Sequence, residues 1–593
     1  MYKTSDYVID RLIEWGVQRV FGYPGDAVNP LITAIGRANQ KIDFVQARHE
    51  EMCAFMACAH AKFTGEIGVC LSTAGPGAIH LLNGLYDAKM DNQPVLAIVG
   101  QQPRHALGSS FLQDVDLSSL FKDVAHEYVN VAMTAEQVRH LLDRSIRTAY
   151  AERSVTCLVL PHDIQNEKAE PNPKREHGQS FSGSGYALPH VVPAREDLLR
   201  AADVLNAGQR VAMLIGAGAL SARDEIVETA EILGAGVAKA LLGKAALEDD
   251  LPYVTGSIGM LGTEASWNLM NNCDTLFVVG SNFPYAEFLP APGVARGVQI
   301  DLKAQNLSLR YPMEVGLLGE SACTLRELIP LLERKTDRAW RERVQEMVHD
   351  SDSALEAQAN VPGRPVNPQK VFRALSGGLP ERSIITADSG TSTVWFARHL
   401  RMRRDMMASV SGGLASMGCS IPYAIAAKFA HPDRPVVACS GDGAMQMIGN
   451  NELITLAKYW KDWLDPRFIV LVLKNNDLNF VTWEMRVTEG DPRFVPAQEV
   501  PDFDYAEYAK SLGLFGFKIT SESEIANTLQ LSLGAQKPVV IEIQSDPNIP
   551  PIPPHVNADQ AASFASALAK GEADASRPFW GAFSQVWHSI FHR

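Results

Sequence analysis

Val436-Val437-Ala438-Cys439-Ser440-Gly441-Asp442-Gly443 joins an apolar, β-branched run to a carboxylate that stands between two glycines. A run of this kind is typical of a strand buried on both faces, as in parallel sheets that are covered by helices. Ligands of such sheets bind at the carboxyl ends of the strands, next to helix N-termini that attract phosphate. The stretch therefore predicts an α/β fold in which Asp442 offers a hard oxygen to a metal ion beside a phosphate.

A second buried strand, residues 468–473, ends at Asn475-Asn476, which can offer a neutral oxygen to the same ion. Gly-Asp-Gly alone is a common turn, and for the triplet by itself a purely structural role is the better interpretation. The two strand ends together predict one site for a diphosphate and Mg²⁺. An amphipathic helix between the strands is predicted from Ile448, Leu453, Ile454, Leu456 and Ala457.

Three α/β domains are predicted, because 593 residues is about twice the length at which a single core stops growing. The predicted strands are 69–72, 94–99 and 155–159, then 211–215, 275–280 and 297–301, then 383–386, 435–439, 468–473 and 538–543. The predicted ranges are 1–173, a linker 174–190, 191–335, a connector 336–365, 366–548 and a C-terminal tail 549–593. The first and third domains share their order of elements.

Several local boundaries are predicted as well. The first helix is capped by Thr4 or Ser5, buries Tyr7, Val8, Leu12 and Ile13 on one face, and ends at Gly16. Residues 165–184 are polar and rich in Pro, Gly and Ser, which indicates a linker. Helices are also predicted at 52–61, 196–207 and 337–359.

Composition excludes several classes of protein. A chain with 46% hydrophobic and 21% charged residues is globular, and a net charge of −14 without a basic stripe argues against nucleic-acid binding. The eight cysteines contain no CxxC pair and lie mostly in apolar runs, so buried thiols in a reducing compartment are expected. No signal sequence or membrane span is recognised, and a cytoplasmic protein is expected.

Nearly the whole chain resembles thiamine diphosphate enzymes, most closely pyruvate oxidases of the quinone-reducing type and next acetolactate synthases. Gly441-Asp442-Gly443 to Asn475-Asn476 resembles their diphosphate and Mg²⁺ motif, with a gap several residues longer than usual through residues 459–465. Arg48-His49-Glu50 is similar to the segment whose glutamate bonds the aminopyrimidine ring. For Glu50 the ordinary alternative is an exposed glutamate at a helix start. The resemblance implies doubly wound parallel-sheet domains that bind the pyrimidine, FAD and the diphosphate, followed by a helical tail.

The resemblance also implies the site residues. Thiamine diphosphate is expected at Gly25, Asp26, Glu50, Gly75, Pro76, Gly77, Asn83, Gly390, Thr391, Met417, Gly441, Asp442, Gly443, Ala444, Asn476, Leu478 and Phe480. Mg²⁺ is expected at Asp442, Asn476 and Leu478, and the catalytic candidates are Glu50, Gln113, Phe480 and Glu484. FAD is expected at Gly216, Gly218, Gly259, Leu261, Gly262, Asn282, Phe283 and Asp301, although some relatives leave this domain empty or hold FAD without redox use.

Departures from the pattern lie near the substrate. Leu112 and Asp114 replace Phe and Glu of the family, and Asn479 stands where glycine is usual. Trp483 is similar to a residue of acetolactate synthases, so residues 477–485 do not separate the two activities. A core methionine is the ordinary alternative for Met417.

The tail carries a separate signal. An apolar helical stripe opposite polar residues suits a membrane interface, although docking on the body or on a sister subunit is an alternative. The stripe consists of Phe579, Trp580, Phe583, Val586, Trp587, Ile590 and Phe591.

The implied function is decarboxylation of a small 2-oxo acid such as pyruvate, with electrons passing through FAD to a quinone and acetate and CO₂ as products. The main rival is carboligation with FAD absent or idle, and a third alternative is a non-catalytic relative that binds the cofactor. The resemblance also implies a homodimer or homotetramer, cytoplasmic, with peripheral contact at the inner face of the cell membrane.

Overall fold

Three six-stranded parallel sheets, each flanked by helices, make up the computed structural model, which describes residues 1–169, 174–551, 553–555 and 558–570. The predicted α/β fold class is confirmed. The strands are short and mainly apolar or β-branched, and β-branched side chains pack well in sheets covered on both faces. None of the helices in these ranges is long and apolar enough to cross a membrane. The predicted domain boundaries stay predictions.

The first sheet has the strand order β2-β1-β3-β4-β6-β5. Its strands are β1 (Arg19–Gly22), β2 (Asp43–Gln46), β3 (Gly68–Ser72), β4 (Val95–Gln101), β5 (Val129–Val131) and β6 (Val155–Pro161). The helices of this part are α1 (Thr4–Glu14), α2 (Asn29–Arg37), α3 (Glu50–Thr64), α4 (Pro76–His80), α5 (Leu82–Met90), α6 (Leu117–Phe121), α7 (Ala135–Glu152) and α8 (His162–Asn166).

The central sheet has the order β12-β11-β10-β7-β8-β9. Its strands are β7 (Val211–Ile215), β8 (Gly236–Lys239), β9 (Val254–Ser257), β10 (Thr275–Val279), β11 (Arg296–Asp301) and β12 (Val315–Leu318). Helices α9 (Arg195–Ala207), α10 (Arg223–Leu233), α11 (Glu264–Asn272) and α12 (Ser321–Leu328) accompany it, and α13 (Ala339–Ala359) follows.

The third sheet has the order β14-β13-β15-β16-β18-β17, which repeats the order of the first sheet. Its strands are β13 (Ile384–Ala387), β14 (Met407–Val410), β15 (Val436–Gly441), β16 (Phe468–Lys474), β17 (Phe515–Ile519) and β18 (Val539–Gln544). The helices of this range are α14 (Pro368–Gly378), α15 (Thr391–His399), α16 (Ser420–Ala430), α17 (Asp442–Ala444), α18 (Asn450–Tyr459), α19 (Asn479–Glu484), α20 (Val495–Gln498), α21 (Tyr505–Ser511), α22 (Ile525–Leu533) and α23 (Ala558–Ala569).

Contacts divide the chain into two compact units. Among the described residues, those in 1–188, 410–438 and 444–466 form unit 1, and those in 189–409, 439–443 and 467–570 form unit 2. All eight cysteines lie in described ranges as free thiols, and seven of them are buried, as the sequence predicted.

Some local predictions were wrong. Lys3, not Thr4 or Ser5, precedes the first helix, and its N–H donates to the Asp6 carboxylate at 2.9 Å, so Thr4 and Ser5 lie buried in the first turn. Gln165 is not in a linker, because it is buried in α8 and its side-chain amide donates to Ala27 O at 2.7 Å and to Leu160 O at 2.8 Å. For Gln165, tertiary hydrogen bonds offset the cost of burying a polar side chain, and the local sequence does not reveal them.

The helix between β15 and β16, the two strands that end at the predicted metal site, also differs from its prediction. Ile454 lies exposed on α18, whereas Glu452 is fully buried. Residues 445–449 form a π-helical turn just before α18, and such a turn shifts the face that later residues present. The tail residues 577–593, with their predicted stripe, lie outside the described residues.

Candidate active site

The residues predicted to bind a diphosphate follow neighbouring strands of the third sheet. Strand β13 pairs with β14 on one side and with β15 on the other, so the strand order reverses between β13 and β15. Ligands of open α/β sheets bind in the crevice that such a reversal creates. Gly390 and Thr391 follow β13, Asp442 follows β15, and Asn475-Asn476 follows β16.

Asp442 is held by main-chain donors. Its Oδ2 accepts the N–H groups of Asn475 at 2.9 Å and Asn476 at 2.7 Å, and its Oδ1 accepts the Gly443 N–H at 2.9 Å. The side chain is 3% exposed, and burial raises the pKa of Asp442 to about 6. A cation beside this carboxylate would offset the cost of its burial.

The oxygen ligands in and near Asp442 fit Mg²⁺. Asn476 has a φ of +54° and donates its side-chain N–H to Val500 O at 3.1 Å, which leaves the amide oxygen as its ligand atom. Leu478 can contribute only its main-chain oxygen. A carboxylate, an amide and a main-chain oxygen are the hard ligands that Mg²⁺ prefers. These residues, all in unit 2, therefore fit a magnesium diphosphate.

Glu50, in unit 1, begins α3 and is 8% exposed, so the alternative of an exposed helix-start glutamate does not hold. Its Oε2 lies 3.0 Å from His80 Nδ1, and His80 stacks on His49 with ring centroids 4.4 Å apart. The stack and the hydrogen bond fix the direction of the carboxyl group. A ligand atom that meets Glu50 would therefore find a preorganised partner.

The Gly75-Pro76-Gly77 turn lies against the same carboxyl group. A Cβ at Gly77 would lie 3.1 Å from Glu50 Oε1, and a Cβ at Gly75, whose φ is +60°, would lie 2.7 Å from Gln113 Cβ. Gln113 Oε1 is buried and has no hydrogen-bond partner in the described part of the chain. Close packing on Glu50 and Gln113 therefore favours glycine at both ends of this turn, which is called the cradle below, and the Gln113 oxygen can accept a hydrogen bond from a ligand.

Other predicted residues of unit 1 have local partners. The Asn83 side-chain N–H groups donate to Glu51 and to Ser416 Oγ, the latter at 2.9 Å, and Met417 beside Ser416 is half-buried. Asp26 Oδ1 accepts the Ala27 N–H at 2.8 Å. A Cβ at Gly25 would lie 2.4 Å from Thr73 Cβ, so close packing alone requires glycine there.

Glu452 is a site residue that sequence reasoning missed. Its Oε1 accepts the Arg48 N–H at 3.0 Å, two residues before Glu50, and its Oε2 has no partner among the described residues. The hydroxyl oxygen of Tyr459, on the same helix, accepts the Gln46 N–H at 2.9 Å. Helix α18 therefore positions the chain that leads to Glu50. In the sequence, Glu452 lies one turn before Leu456 on the apolar face of the helix, and this position could have identified it as a buried polar residue.

We expect Glu452→Gln to flatten the pH dependence of stability. Burial raises the pKa of Glu452 from 4.5 to about 7. The folded protein then keeps a proton that the unfolded chain loses, so this stabilisation is complete below pH 4.5 and is lost as the pH rises to about 7, on the order of 3 kcal/mol. Glutamine keeps the acceptor for Arg48 and does not titrate.

The measurement is the apparent Tm of the wild type and the variant between pH 5 and pH 7.5. The wild type should lose several degrees relative to Glu452→Gln over this range, whereas the exposed-carboxyl control Glu66→Gln should follow the wild type. An equal difference between wild type and Glu452→Gln at both ends of the range would show that Glu452 does not titrate there.

Comparison with known proteins identifies the family. Models of thiamine pyrophosphate enzymes match residues 2–120 (N-terminal TPP binding domain), 198–328 (central domain) and 388–543 (C-terminal TPP binding domain). A putative thiamine pyrophosphate-containing protein, YdaP, of Bacillus subtilis strain 168 is 35% identical over 96% of both chains. This chain belongs to the thiamine pyrophosphate enzyme family.

More distant relatives of this thiamine pyrophosphate enzyme have names of two kinds. Pyruvate oxidase of Lactiplantibacillus plantarum is 27% identical, with 90% of this chain and 87% of that protein covered. Acetolactate synthase isozyme 2 large subunit of Escherichia coli K12 is 28% identical, with 92% of this chain and 97% of that protein covered. The identities do not separate the two activities.

The central domain of this thiamine pyrophosphate enzyme has its own crevice. The strand order reverses between β7 and β10, and Gly216-Ala217-Gly218 follows β7 while Asn282 and Phe283 follow β10. Asp301, at the end of β11, is 7% exposed and accepts the Lys303 N–H at 2.8 Å. The position and the carboxylate fit a nucleotide such as FAD.

Packing explains the glycines of that crevice without a ligand. A Cβ at Gly216 would lie 2.5 Å from Gly280 O, and one at Gly218 would lie 2.8 Å from Gly280 Cα. Gly259 has a φ of +92°, and its Cβ would lie 2.8 Å from Phe283 Cζ. Gly262 approaches Ser257 in the same way, and Leu261 beside it is half-buried.

Residues 477–484 include side chains that pack in the interior and side chains that lie at the surface. Trp483 is buried, donates to Pro547 O at 3.1 Å and stacks on Phe564 of α23, so it packs against that helix. Asn479 donates to Asp477 and Pro547. Phe480 is half-buried, and Glu484 is exposed, although partial burial of its carboxyl group raises its pKa.

Proposed function

We propose that this thiamine pyrophosphate enzyme decarboxylates pyruvate or a similar small 2-oxo acid and oxidises the remaining two carbons to acetate. One pyruvate and one water would give acetate, CO₂, two protons and two electrons, with a quinone as the final electron acceptor and FAD, when bound, as the redox group between them. The observation that carries the decarboxylation is the buried Glu50 carboxyl group, oriented by His80 beside the Gly75–Gly77 cradle. Family membership supports the cofactor.

Thiamine diphosphate, when bound, supplies a carbon nucleophile and an electron sink for the 2-oxo acid. Glu50 would exchange a proton with the aminopyrimidine ring of the bound cofactor, and the hydrogen bond to His80 orients the carboxyl group. Asp442, Asn476 and the main-chain oxygen of Leu478 would hold Mg²⁺. Gln113, with its unpaired buried oxygen, is a further polar group that faces the cradle.

Oxidation of the two-carbon unit is supported by the crevice of the central sheet and by the pyruvate oxidase relative. Carboligation is the second candidate, and the acetolactate synthase relatives favour it to the same degree. Trp483 is the residue that most favoured carboligation in the sequence. Its indole ring stacks on Phe564 and donates to Pro547 O. The balance therefore shifts toward oxidation.

The flavin should lose its colour when pyruvate is added without oxygen. We expect purified full-length protein with thiamine diphosphate, Mg²⁺ and FAD to bleach at 450 nm within one turnover, because two electrons reach each flavin. Absorbance in an anaerobic stopped-flow instrument measures this, and a quinone should restore the colour. The Glu50→Gln variant with the same bound flavin is the control and should stay yellow. A flavin that stays oxidised while acetolactate accumulates would establish the carboligase instead.

Two further parts of the proposal rest on the sequence. A homodimer or homotetramer in the cytoplasm is proposed from the family resemblance. Contact with the membrane surface is proposed from the apolar stripe in residues 577–593, which lie outside the described residues.

A further inference from the structure

A cavity of about 340 Å³ lies in unit 2, where its lining residue Arg398 donates to Gly262 O at 3.1 Å. Residues of β9, the second half of α13, α14 and the segment 397–403 at the end of α15 line it. None of the residues predicted to bind thiamine diphosphate, Mg²⁺ or FAD is among its lining residues. The cavity has the volume of a small-molecule site.

Positive charge exceeds negative charge in this cavity. Its lining includes five cations, Lys244, Arg373, Arg398, Arg401 and Arg403, against the three acids Asp249, Asp250 and Asp352. Asp249 is already paired from outside the lining, since Lys239 Nζ lies 2.5 Å from it. Asp352 lies 3.2 Å from Arg373. Arg373 also meets Glu356 at 3.7 Å, and Arg398 and Arg403 donate to main-chain oxygens, so the net positive charge, and not unpaired donors, favours an anion.

His399 lacks hydrogen-bond partners within the cavity's wall. The side chain is 2% exposed, and neither ring nitrogen has a partner among the described residues. Burial, with the charges of Arg398, Arg373 and Lys244, holds the pKa of His399 well below its usual range. The neutral ring presents one donor and one acceptor, and leaving both unpaired in the interior is unfavourable.

We propose that this cavity binds a small metabolite through its phosphate group, with His399 and the surrounding cations as the recognition elements. A protonated phosphate oxygen can donate to the acceptor nitrogen of the neutral ring, which a carboxylate cannot do at neutral pH. The arginine side chains match the oxygens of a phosphate. The volume leaves room for a small organic group beside the phosphate.

The position indicates a regulatory rather than a catalytic site. Helix α15 begins at Thr391, a residue predicted to meet the diphosphate, and ends at His399. Eight residues of helix separate these ends by about 12 Å. A ligand at His399 would contact the far end of the same helix and leave the cofactor crevice free.

Inorganic phosphate is the probe for this site. Full-length protein saturated with thiamine diphosphate and Mg²⁺, so that the diphosphate crevice is filled, is titrated calorimetrically with phosphate at constant ionic strength and pH 7. We expect saturable binding at one site per chain. His399→Phe and Arg401→Gln should each weaken the affinity roughly tenfold. Arg200→Gln, which removes an exposed arginine of the same unit, should leave the affinity unchanged.

Arg401 is half-exposed, so its variant keeps the test decisive if His399→Phe disturbs folding. Three results would overturn the proposal. These are no saturable phosphate binding by the wild type, binding that both cavity variants leave unchanged, and binding of malonate as tight as that of phosphate. The first two results would mean that phosphate does not bind in the cavity, and the third would indicate that the cavity binds a dicarboxylate.

Discussion

Glu50→Gln is expected to lower kcat for pyruvate decarboxylation by about two to four orders of magnitude, with much less change in the affinity for thiamine diphosphate. Glutamine has the shape of glutamate and can still meet His80, which lies 3.0 Å from the carboxyl group. It cannot exchange a proton with the aminopyrimidine. The loss should therefore appear in kcat rather than in cofactor binding.

The control for this experiment is Glu66→Gln, because Glu66 is an exposed carboxylate of the same unit, just after α3. Its kcat should equal that of the wild type. Cofactor affinity is measured for all three proteins by fluorescence quenching, so that a loss of binding cannot be mistaken for a loss of chemistry. Full activity in Glu50→Gln would remove Glu50 from the proton-transfer step.

Asp442→Asn is expected to weaken binding of Mg²⁺ and thiamine diphosphate by at least about a hundredfold. The change removes the negative charge that balances the divalent ion. It also turns an amide N–H₂ toward main-chain donors, since Asp442 accepts three N–H groups from Asn475, Asn476 and Gly443. An amide cannot accept at both positions.

Calorimetric titration of each protein with Mg²⁺ and thiamine diphosphate measures this effect. Asp491→Asn is the matched control, because Asp491 is a half-exposed carboxylate of unit 2 whose partner is Lys570. The far-ultraviolet circular dichroism of Asp442→Asn should match that of the wild type. Unchanged Mg²⁺ affinity in a folded Asp442→Asn protein would place the metal elsewhere.

The sheets could be predicted from the sequence because their strands are short apolar runs that end at glycine, proline or polar residues. Strand β7 has the predicted bounds, and α9 begins one residue before its predicted start. The shared element order of the first and third domains appears as an identical strand order. A strand that is buried on both faces can be recognised from its own apolar sequence, without knowing which strands pair with it.

Residues whose burial depends on a distant partner could not be predicted. Gln165 is polar and lies at the edge of a polar segment, yet its amide bonds Ala27, 138 residues away. Glu452 interrupts an apolar helix face because the Arg48 N–H, 404 residues away, needs an acceptor. Local patterns contain neither pairing.

The candidate site shows the same division. Asp442 and Asn476 follow adjacent strands, so their closeness follows from sheet topology, which sequence pattern predicts well. The contact between Glu50 and His80 joins two helices, and the sequence pattern did not predict it. Trp483 suggested a role in the substrate pocket, whereas its indole packs on Phe564 from a segment that carries no motif.

Release of CO₂ from pyruvate by the purified full-length protein tests the central claim most directly. The protein is stripped of cofactors and then assayed with thiamine diphosphate alone, with Mg²⁺ alone and with both. We expect CO₂ only when both are present, and almost none from Glu50→Gln under the same conditions. Absence of CO₂ from pyruvate, 2-oxobutyrate and 2-oxoisovalerate, with protein shown to hold both cofactors, would contradict the proposed decarboxylation.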